Sequence, residues 1–294
     1  MLFILVTSLV FLFVYSWFVE PRQLKFTRYK IRTAEEVTAR IVLLTDLHLG
    51  KYSNVKSLLH TVELLRQYLA TQPADILLLG GDYLDYQAKY VTDLAQILAA
   101  LKTLGLPMYG VLGNHDYVSC KPIEPLLTVL ETYGCIILRN STTVVNLRGQ
   151  QLLLIGVDDL EEAPDYHHGW RYISDTTYRN RVKALDWYSR FNLTAPQLPR
   201  ILLSHNPDGV YLPGLAPVVV LAGHTHGGQL ALVDFLGRFA NWVVQLVLPA
   251  GSLRTKAGRL KLNDRNLVIS RGIGGSAIPA RFLRPPEIVI IELN

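Results

Sequence analysis

The chain predicts an α/β fold in which two packed mixed β-sheets carry helices on their outer faces. Three observations point to it. Half of the 294 residues are apolar, enough for a sizeable core in one large domain. Short continuous apolar runs of strand length alternate with longer stretches whose apolar residues recur at helical spacing. The runs before Asp46, Asp82, Asn114, His205 and His224 each end at a polar cluster, as strands do in α/β sheets, where ligands gather beyond the strand ends.

The elements follow in order. Leu24, Phe26, Tyr29 and Ile31 give an imperfectly alternating strand, and residues 41–44 a short buried one. Val55, Leu58, Leu59, Val62, Leu65 and Leu69 mark one face of a helix. Residues 76–79 form the next strand. Val91, Leu94, Ile97, Leu98, Leu101 and Leu104 give a second helix, closed near Gly105 and Pro107. A strand over 108–112, a helix over 123–133, and strands near 144–147 and 152–157 come next. A helix around 178–188 and strands at 201–203, 218–221, 267–270 and 288–292 complete the pattern.

Residues 1–19 contain no charged side chain; as one helix they reach roughly 28 Å, about one bilayer core. A basic leader is missing and the stretch ends in Tyr15, Trp17 and Phe18, which favours a retained transmembrane anchor over residues 1–20 against a cleaved signal peptide. Arg22, Lys25, Arg28, Lys30 and Arg32 follow in a basic juxtamembrane segment that includes the first strand, residues 21–38. By the positive-inside rule this predicts a single-pass protein of the cell membrane with its globular part on the cytoplasmic face. The formal charge of +5 favours anionic partners, phosphates or an acidic lipid surface. The basic residues are dispersed and form no aromatic-basic platform, so nucleic acid is not the expected partner, and nothing implies a protein partner. Cys120 and Cys135 read as buried thiols, with no disulfide framework.

Five short motifs supply metal-binding side chains: Asp46-Leu47-His48, Gly81-Asp82, Gly113-Asn114-His115-Asp116, Ser204-His205 and Gly223-His224-Thr225-His226. Any one alone reads as a loop, cap or turn. His205 before Asn206-Pro207-Asp208, for example, would simply begin a turn. All five, each behind an apolar run, read as a two-metal hydrolytic centre, a standard remedy for the slow hydrolysis of phosphate esters. Gly81, Gly113 and Gly223 allow sharp exits from the strands. The mixed oxygen and nitrogen donors, without thiolate, suit Mn²⁺, Fe or Zn²⁺ better than Ca²⁺ or an all-oxygen Mg²⁺ site.

These motifs resemble those of the calcineurin-like metallophosphoesterases. The residues from Gly223 to Gln229, with Arg271-Gly272-Ile273-Gly274 and Pro285-Pro286-Glu287, are most similar to a small, membrane-tethered bacterial branch that includes a type of UDP-2,3-diacylglucosamine hydrolase. The resemblance implies a four-layer α-β-β-α sandwich, the metallophosphoesterase domain, over residues 39–294. It implies two divalent metal ions, Mn²⁺ foremost, one on Asp46, His48, Asp82 and His226 and the other on Asp82, Asn114, His205 and His224. A bridging Asp82 suits the chemistry, because one carboxylate can serve two cations held roughly 3.5 to 4 Å apart. His115 is implied to stabilise the transition state or protonate the leaving oxygen, with Asp116 fixing its ring. A metal-bridging hydroxide would then attack phosphorus in a phosphodiester or pyrophosphate. UDP-2,3-diacylglucosamine is the named substrate implied. A broad phosphodiesterase or phosphatase with a soluble or envelope substrate is the alternative, and intact ligands at every motif argue against a non-catalytic scaffold.

Other polar groups have plainer readings. Asp158-Asp159, Glu161-Glu162, Asp165 and His167-His168 read as a solvated loop, and His60 as structural. Arg271 either faces phosphate or makes a surface ion pair. The apolar stretch 233–249 reads as core packing, or as a lipid-dipping insertion with Arg238, Arg254, Lys256, Arg259 and Lys261 at headgroups.

Overall fold

The computed structural model describes residues 2–33, 37–160, 179–180, 182–183, 198–230, 252–253, 256–262, 265–275 and 278–294. Its strands are β1 (Lys25–Ile31), β2 (Ala39–Leu44), β3 (Ile76–Leu79), β4 (Met108–Gly110), β5 (Cys135–Ile137), β6 (Ser141–Leu147), β7 (Gln150–Val157), β8 (Arg200–Ser204), β9 (Val219–Ala222), β10 (Gly258–Leu262), β11 (Arg265–Ile269) and β12 (Glu287–Leu293). They build two six-stranded sheets, ordered β1-β12-β2-β3-β4-β5 and β10-β11-β9-β8-β7-β6. Strands β2 to β5 run parallel, with β12 antiparallel to β2. In the second sheet β11, β9, β8 and β7 are parallel, with antiparallel β10 and β6 outside them.

The continuous apolar runs have a direct cause: the central strands are buried on both faces. Ile41, Leu43, Ile76 and Leu78 point between the sheets and meet Leu152, Leu154, Leu203 and Leu221. Their neighbours Val42, Leu44, Leu77 and Leu79 point outward under helices. These helices are α2 (Val55–Thr71), α3 (Val91–Lys102) and α5 (Glu124–Thr132). The side chain of Asn54 caps α2 by accepting from Ser57 N at 3.0 Å, and Leu58, Val62 and Leu65 carry its buried face. Helix α3 stops before Gly105, whose φ of +72° continues the chain in the left-handed region. The outer face of the second sheet is covered in turn, with Leu153, Ile155, Leu202 and Val220 packed among Val210, Leu212 and Leu215. Both cysteines are free and buried.

Three elements lie outside the sequence expectation: β5, β10 and the six-residue helix α4 (Asn114–Ser119). The first and last are too short to display a period, and β10 alternates charged and apolar residues at a sheet edge. The helix expected at 178–188 falls largely outside the described residues, and the apolar stretch 233–249 wholly outside them.

The N-terminal reading requires correction. Regular helix α1 (Leu2–Val14) has 13 residues, about 20 Å of rise. It widens into a π turn over Tyr15–Val19 and tightens to a 3₁₀ turn over Glu20–Arg22. Among the described residues no helix is long and apolar enough to cross a membrane. The expected transmembrane helix at 1–20, and the single-pass membrane location drawn from it, are therefore overturned. The expectation treated residues 1–19 as one straight helix, but the end of the segment docks on the domain. Ser16 and Glu20 are buried, Ser16 O accepts from Arg281 N at 2.8 Å, and the Glu20 carboxylate accepts from Leu283 N and Arg284 N. Of the basic residues in the expected juxtamembrane segment, Lys25, Arg28 and Lys30 lie on the edge strand β1, where charge also guards an unpaired edge.

Candidate metal centre

The parallel strands of both sheets end on one side of the sandwich, and the polar motifs sit there. Asp46 and His48 follow β2, Asp82 follows β3, Asn114 opens α4 after β4, His205 follows β8, and His224 and His226 follow β9. Five of these seven adopt left-handed backbone: Asp46 (φ 55°), His48 (43°), Asp82 (54°), His224 (71°) and His226 (49°). Such conformations cost non-glycine residues about 1–3 kcal/mol each and persist only where the surroundings impose them.

Those surroundings are visible. The loops after β2 and β3 run side by side, with Asp46 N, His48 N and Leu49 N donating to the carbonyls of Gly81, Asp82 and Tyr83. Asp116 ties the β3 loop to the β4 loop, its carboxylate accepting from the backbone N–H groups of Asp82, Tyr83, Leu84 and Gly113 at 2.8–3.2 Å. Glycine keeps the loops close. A Cβ on Gly113 would stand 2.1 Å from Asp82 Oδ1, and one on Gly223 would stand 2.5 Å from Asp46 Oδ2.

The seven side chains converge. His48 Nε2 lies 3.0 Å from His226 Nε2 and 3.4 Å from Asp82 Oδ2, and Asp46 Oδ1 lies 3.7 Å from His226 Nε2. On the other side His205 Nε2 lies 3.2 Å from the same Asp82 Oδ2, and His224 Nδ1 lies 3.1 Å from His205 Nε2 and 3.2 Å from Asn114 Oδ1. Bonds of about 2.0–2.1 Å to one ion place neighbouring ligand atoms roughly 3.0–3.4 Å apart, so this spacing fits metal ligands. His205 Nδ1 donates to Gly80 O at 2.7 Å, which turns Nε2 toward the cluster.

Charge and burial also fit a cation. Asp46, Asp82, Asp85, Asp116 and Asp159 are all buried around the cluster, and buried carboxylates need a compensating partner. Asp46 Oδ2 is buried without a hydrogen-bond partner. Burial opposes the Asp82 charge, but His205, His115 and His48 outweigh it and hold this carboxyl well below its usual range. Burial, with His48 and Arg281 alongside, keeps the His226 imidazole well below its ordinary value and hence neutral, the form a ligand requires.

Three features depart from the sequence reading. Asp85, and not Asp116, stands beside the His115 ring, while the Asp116 carboxylate accepts from four backbone donors. Asp85 Oδ1 lies 3.2 Å from His115 Nδ1 and 3.6 Å from His48 Nδ1. Burial and the nearby Asp82 push Asp116 up to about 7, against the pull of its backbone donors. Asp158 and Asp159 are buried and not solvated. Asp158 accepts from Tyr117 Oη and Arg139 Nε, and Asp159 joins His205 and His224 in a group able to hold an ion. Arg281 is 1% exposed, donates to the carbonyls of Arg271, Gly272, Gly274 and Arg284, and brings Nη2 to 3.5 Å from His226 Nδ1. The spacing of Asp82 and Asp85 within one loop is a signal for Asp85; Arg281 has none. His60 is exposed, and Arg271 pairs with Glu287.

Comparison with known proteins adds family and relatives. The calcineurin-like phosphoesterase family profile matches residues 39–228. An uncharacterized metallophosphoesterase of Aquifex aeolicus is 28% identical over 92% of each chain. Phosphodiesterase YaeI of Escherichia coli is 26% identical over 96% of this chain and 92% of its own. UDP-2,3-diacylglucosamine pyrophosphatase LpxG of Chlamydia muridarum is 29% identical over 98% of this chain and 94% of its own.

Proposed function

We propose, from the premise that this chain belongs to the calcineurin-like phosphoesterase family, that it hydrolyses a phosphodiester or pyrophosphate at a centre of two divalent metals. Asp46, His48, Asp82 and His226 would hold one ion, and Asp82, Asn114, His205 and His224 the other. One observation carries this reading: a single carboxylate oxygen, Asp82 Oδ2, stands 3.4 Å from His48 Nε2 and 3.2 Å from His205 Nε2. It thus lies between two histidines, His48 and His205, that follow strands of opposite sheets, where a bridge belongs.

The ions, when bound, neutralise phosphoryl charge and lower the pKa of water toward neutrality. The chain's own groups do the rest. Asn114 adds a neutral oxygen and so limits the negative charge facing an anionic substrate. His115 lies beside the cluster with Asp85 at its Nδ1. Against the effect of burial, Asp82 and Asp85 raise the ring above its ordinary value, and Asp85, which is outside the proposed ligand set, would still favour the protonated ring with the ions bound. In that form it would deliver a proton to the leaving oxygen. The exposed ring of Tyr86, centred 4.5 Å from that of His115, borders the approach.

A nucleotide-linked lipid such as UDP-2,3-diacylglucosamine is the substrate we favour, with UMP and the lipid monophosphate as products. The relative from Chlamydia muridarum, named for that pyrophosphatase and matched over nearly the whole chain, supports it. The relative named a phosphodiesterase supports a second reading, a broad phosphodiesterase or phosphatase with a soluble or envelope substrate. Incubating purified protein and Mn²⁺ with UDP-2,3-diacylglucosamine and competing nucleotide diesters, then identifying the products, separates the two. Preferential release of UMP supports the first, and turnover of the diesters alone supports the second. No turnover of any substrate across several metals contradicts both.

A further inference from the structure

A cavity of about 630 Å³ lies between the N-terminal segment, the first turns of α2 and the loop before β12. None of the seven proposed metal ligands lines it, and it adjoins them through Arg281, which lines it and reaches His226. Its volume falls within the roughly 300–1,000 Å³ of small-molecule pockets.

The chemistry of its walls is one-sided. Trp17, Leu64 and Ile273 supply apolar surface, while Arg22, Lys56 and Arg281 supply positive charge, and none of its lining residues is an aspartate or glutamate. Arg22 and Lys56 are exposed and stand at the rim. Arg281 is buried and hydrogen-bonded to four backbone carbonyls, and Asp46, Glu287 and Glu20 nearby offset part of its charge. It adds positive potential from a low-dielectric floor. A neutral ligand would leave the rim cations Arg22 and Lys56 unanswered, and a small polar anion would leave the Trp17 wall uncovered.

We infer that this cavity binds an anionic amphiphile: one alkyl or acyl chain bearing a phosphate-like or carboxylate head. The shared chemistry has two sources, a lipid phosphate and a free fatty acid. The inference is independent of the proposed hydrolysis, because binding in this cavity requires neither metal nor turnover.

Calorimetric titration of the full chain tests it, with chelator present and each probe below its micelle concentration. Dodecylphosphonate and dodecanoate are the anionic probes, methylphosphonate lacks the chain, and dodecyl maltoside lacks the charge. One anionic chain should bind per protein, and both controls should bind about tenfold or more weakly. The tighter anionic probe identifies the source. The double substitution Arg22→Glu and Lys56→Glu, at exposed positions that folding tolerates, should weaken binding about tenfold, and Trp17→Ala should weaken the long-chain probes but not methylphosphonate. Absence of binding, equal binding of the maltoside, or several sites per chain indifferent to the charge reversal would overturn the inference. Because chelated protein does no metal chemistry, such a failure leaves the hydrolytic reading untouched.

Discussion

His48 Nε2 and His226 Nε2 face each other at 3.0 Å although 178 residues separate them in the chain and they follow strands of different sheets. Two imidazole nitrogens held this close, with a carboxylate oxygen 3.4 Å from one of them, group three ligand atoms at a spacing that one cation would satisfy.

Chelation should therefore abolish hydrolysis of an aryl phosphodiester, and added Mn²⁺ should restore it. Asp82→Ala, which removes the oxygen between the two histidine groups, should lower kcat/KM by about 100-fold or more even at saturating Mn²⁺. Steady-state assays across a metal titration check both outcomes. A variant that regains full activity at high Mn²⁺ would show that Asp82 is not the shared ligand.

His115→Ala should slow turnover by about 100-fold while the protein retains its metals, because His115 lies outside the proposed ligand set. Metal analysis beside kcat checks this. Loss of ions in that variant would move His115 into the coordination shell.

Asp85→Asn should cost about 10–100-fold in kcat, because one carboxylate lies behind both His115 and His48. A second measurement, Mn²⁺ affinity, should weaken moderately through His48. By contrast Asp116→Asn should act on folding, because its carboxylate holds four backbone N–H groups. Its thermal midpoint should fall more than that of Asp85→Asn.

Gly113→Ala should destabilise the protein by about 1–3 kcal/mol, because the new methyl would overlap Asp82 Oδ1. Denaturant unfolding measures the loss. Arg281→Met should cost about 3 kcal/mol by leaving four buried carbonyls short of donors. An unchanged midpoint for either would show that its loop relaxes freely.

The two-sheet architecture is legible in the sequence because strands buried on both faces must be continuously apolar, as at 41–44, 76–79 and 201–203. The candidate ligands are legible for a related reason: one Asp, Asn or His after such a run reads as a loop, cap or turn, but five such motifs in one chain read as a metal centre. What spacing cannot reveal is the direction a side chain takes. Asp85 and Asp116 are both acids near glycine turns, and only the path of the β3 loop sends one to His115 and the other to backbone N–H groups. Nor does a residue type announce left-handed backbone at Asp46 or His226. Arg281 looks like any surface arginine until the chain folds over it. The N-terminal error has the same origin, because the apolar character of residues 1–19 does not show where the helix loses its regular winding or that Ser16 and Glu20 dock on the domain.

The most direct test is to strip the protein with chelator, titrate it with Mn²⁺, and count bound ions by electron paramagnetic resonance. Two ions per chain are predicted, the second altering the spectrum of the first through a shared ligand, with activity appearing as the pair fills. A single site, two magnetically independent sites, or full activity in the stripped protein would contradict a paired centre built on Asp82.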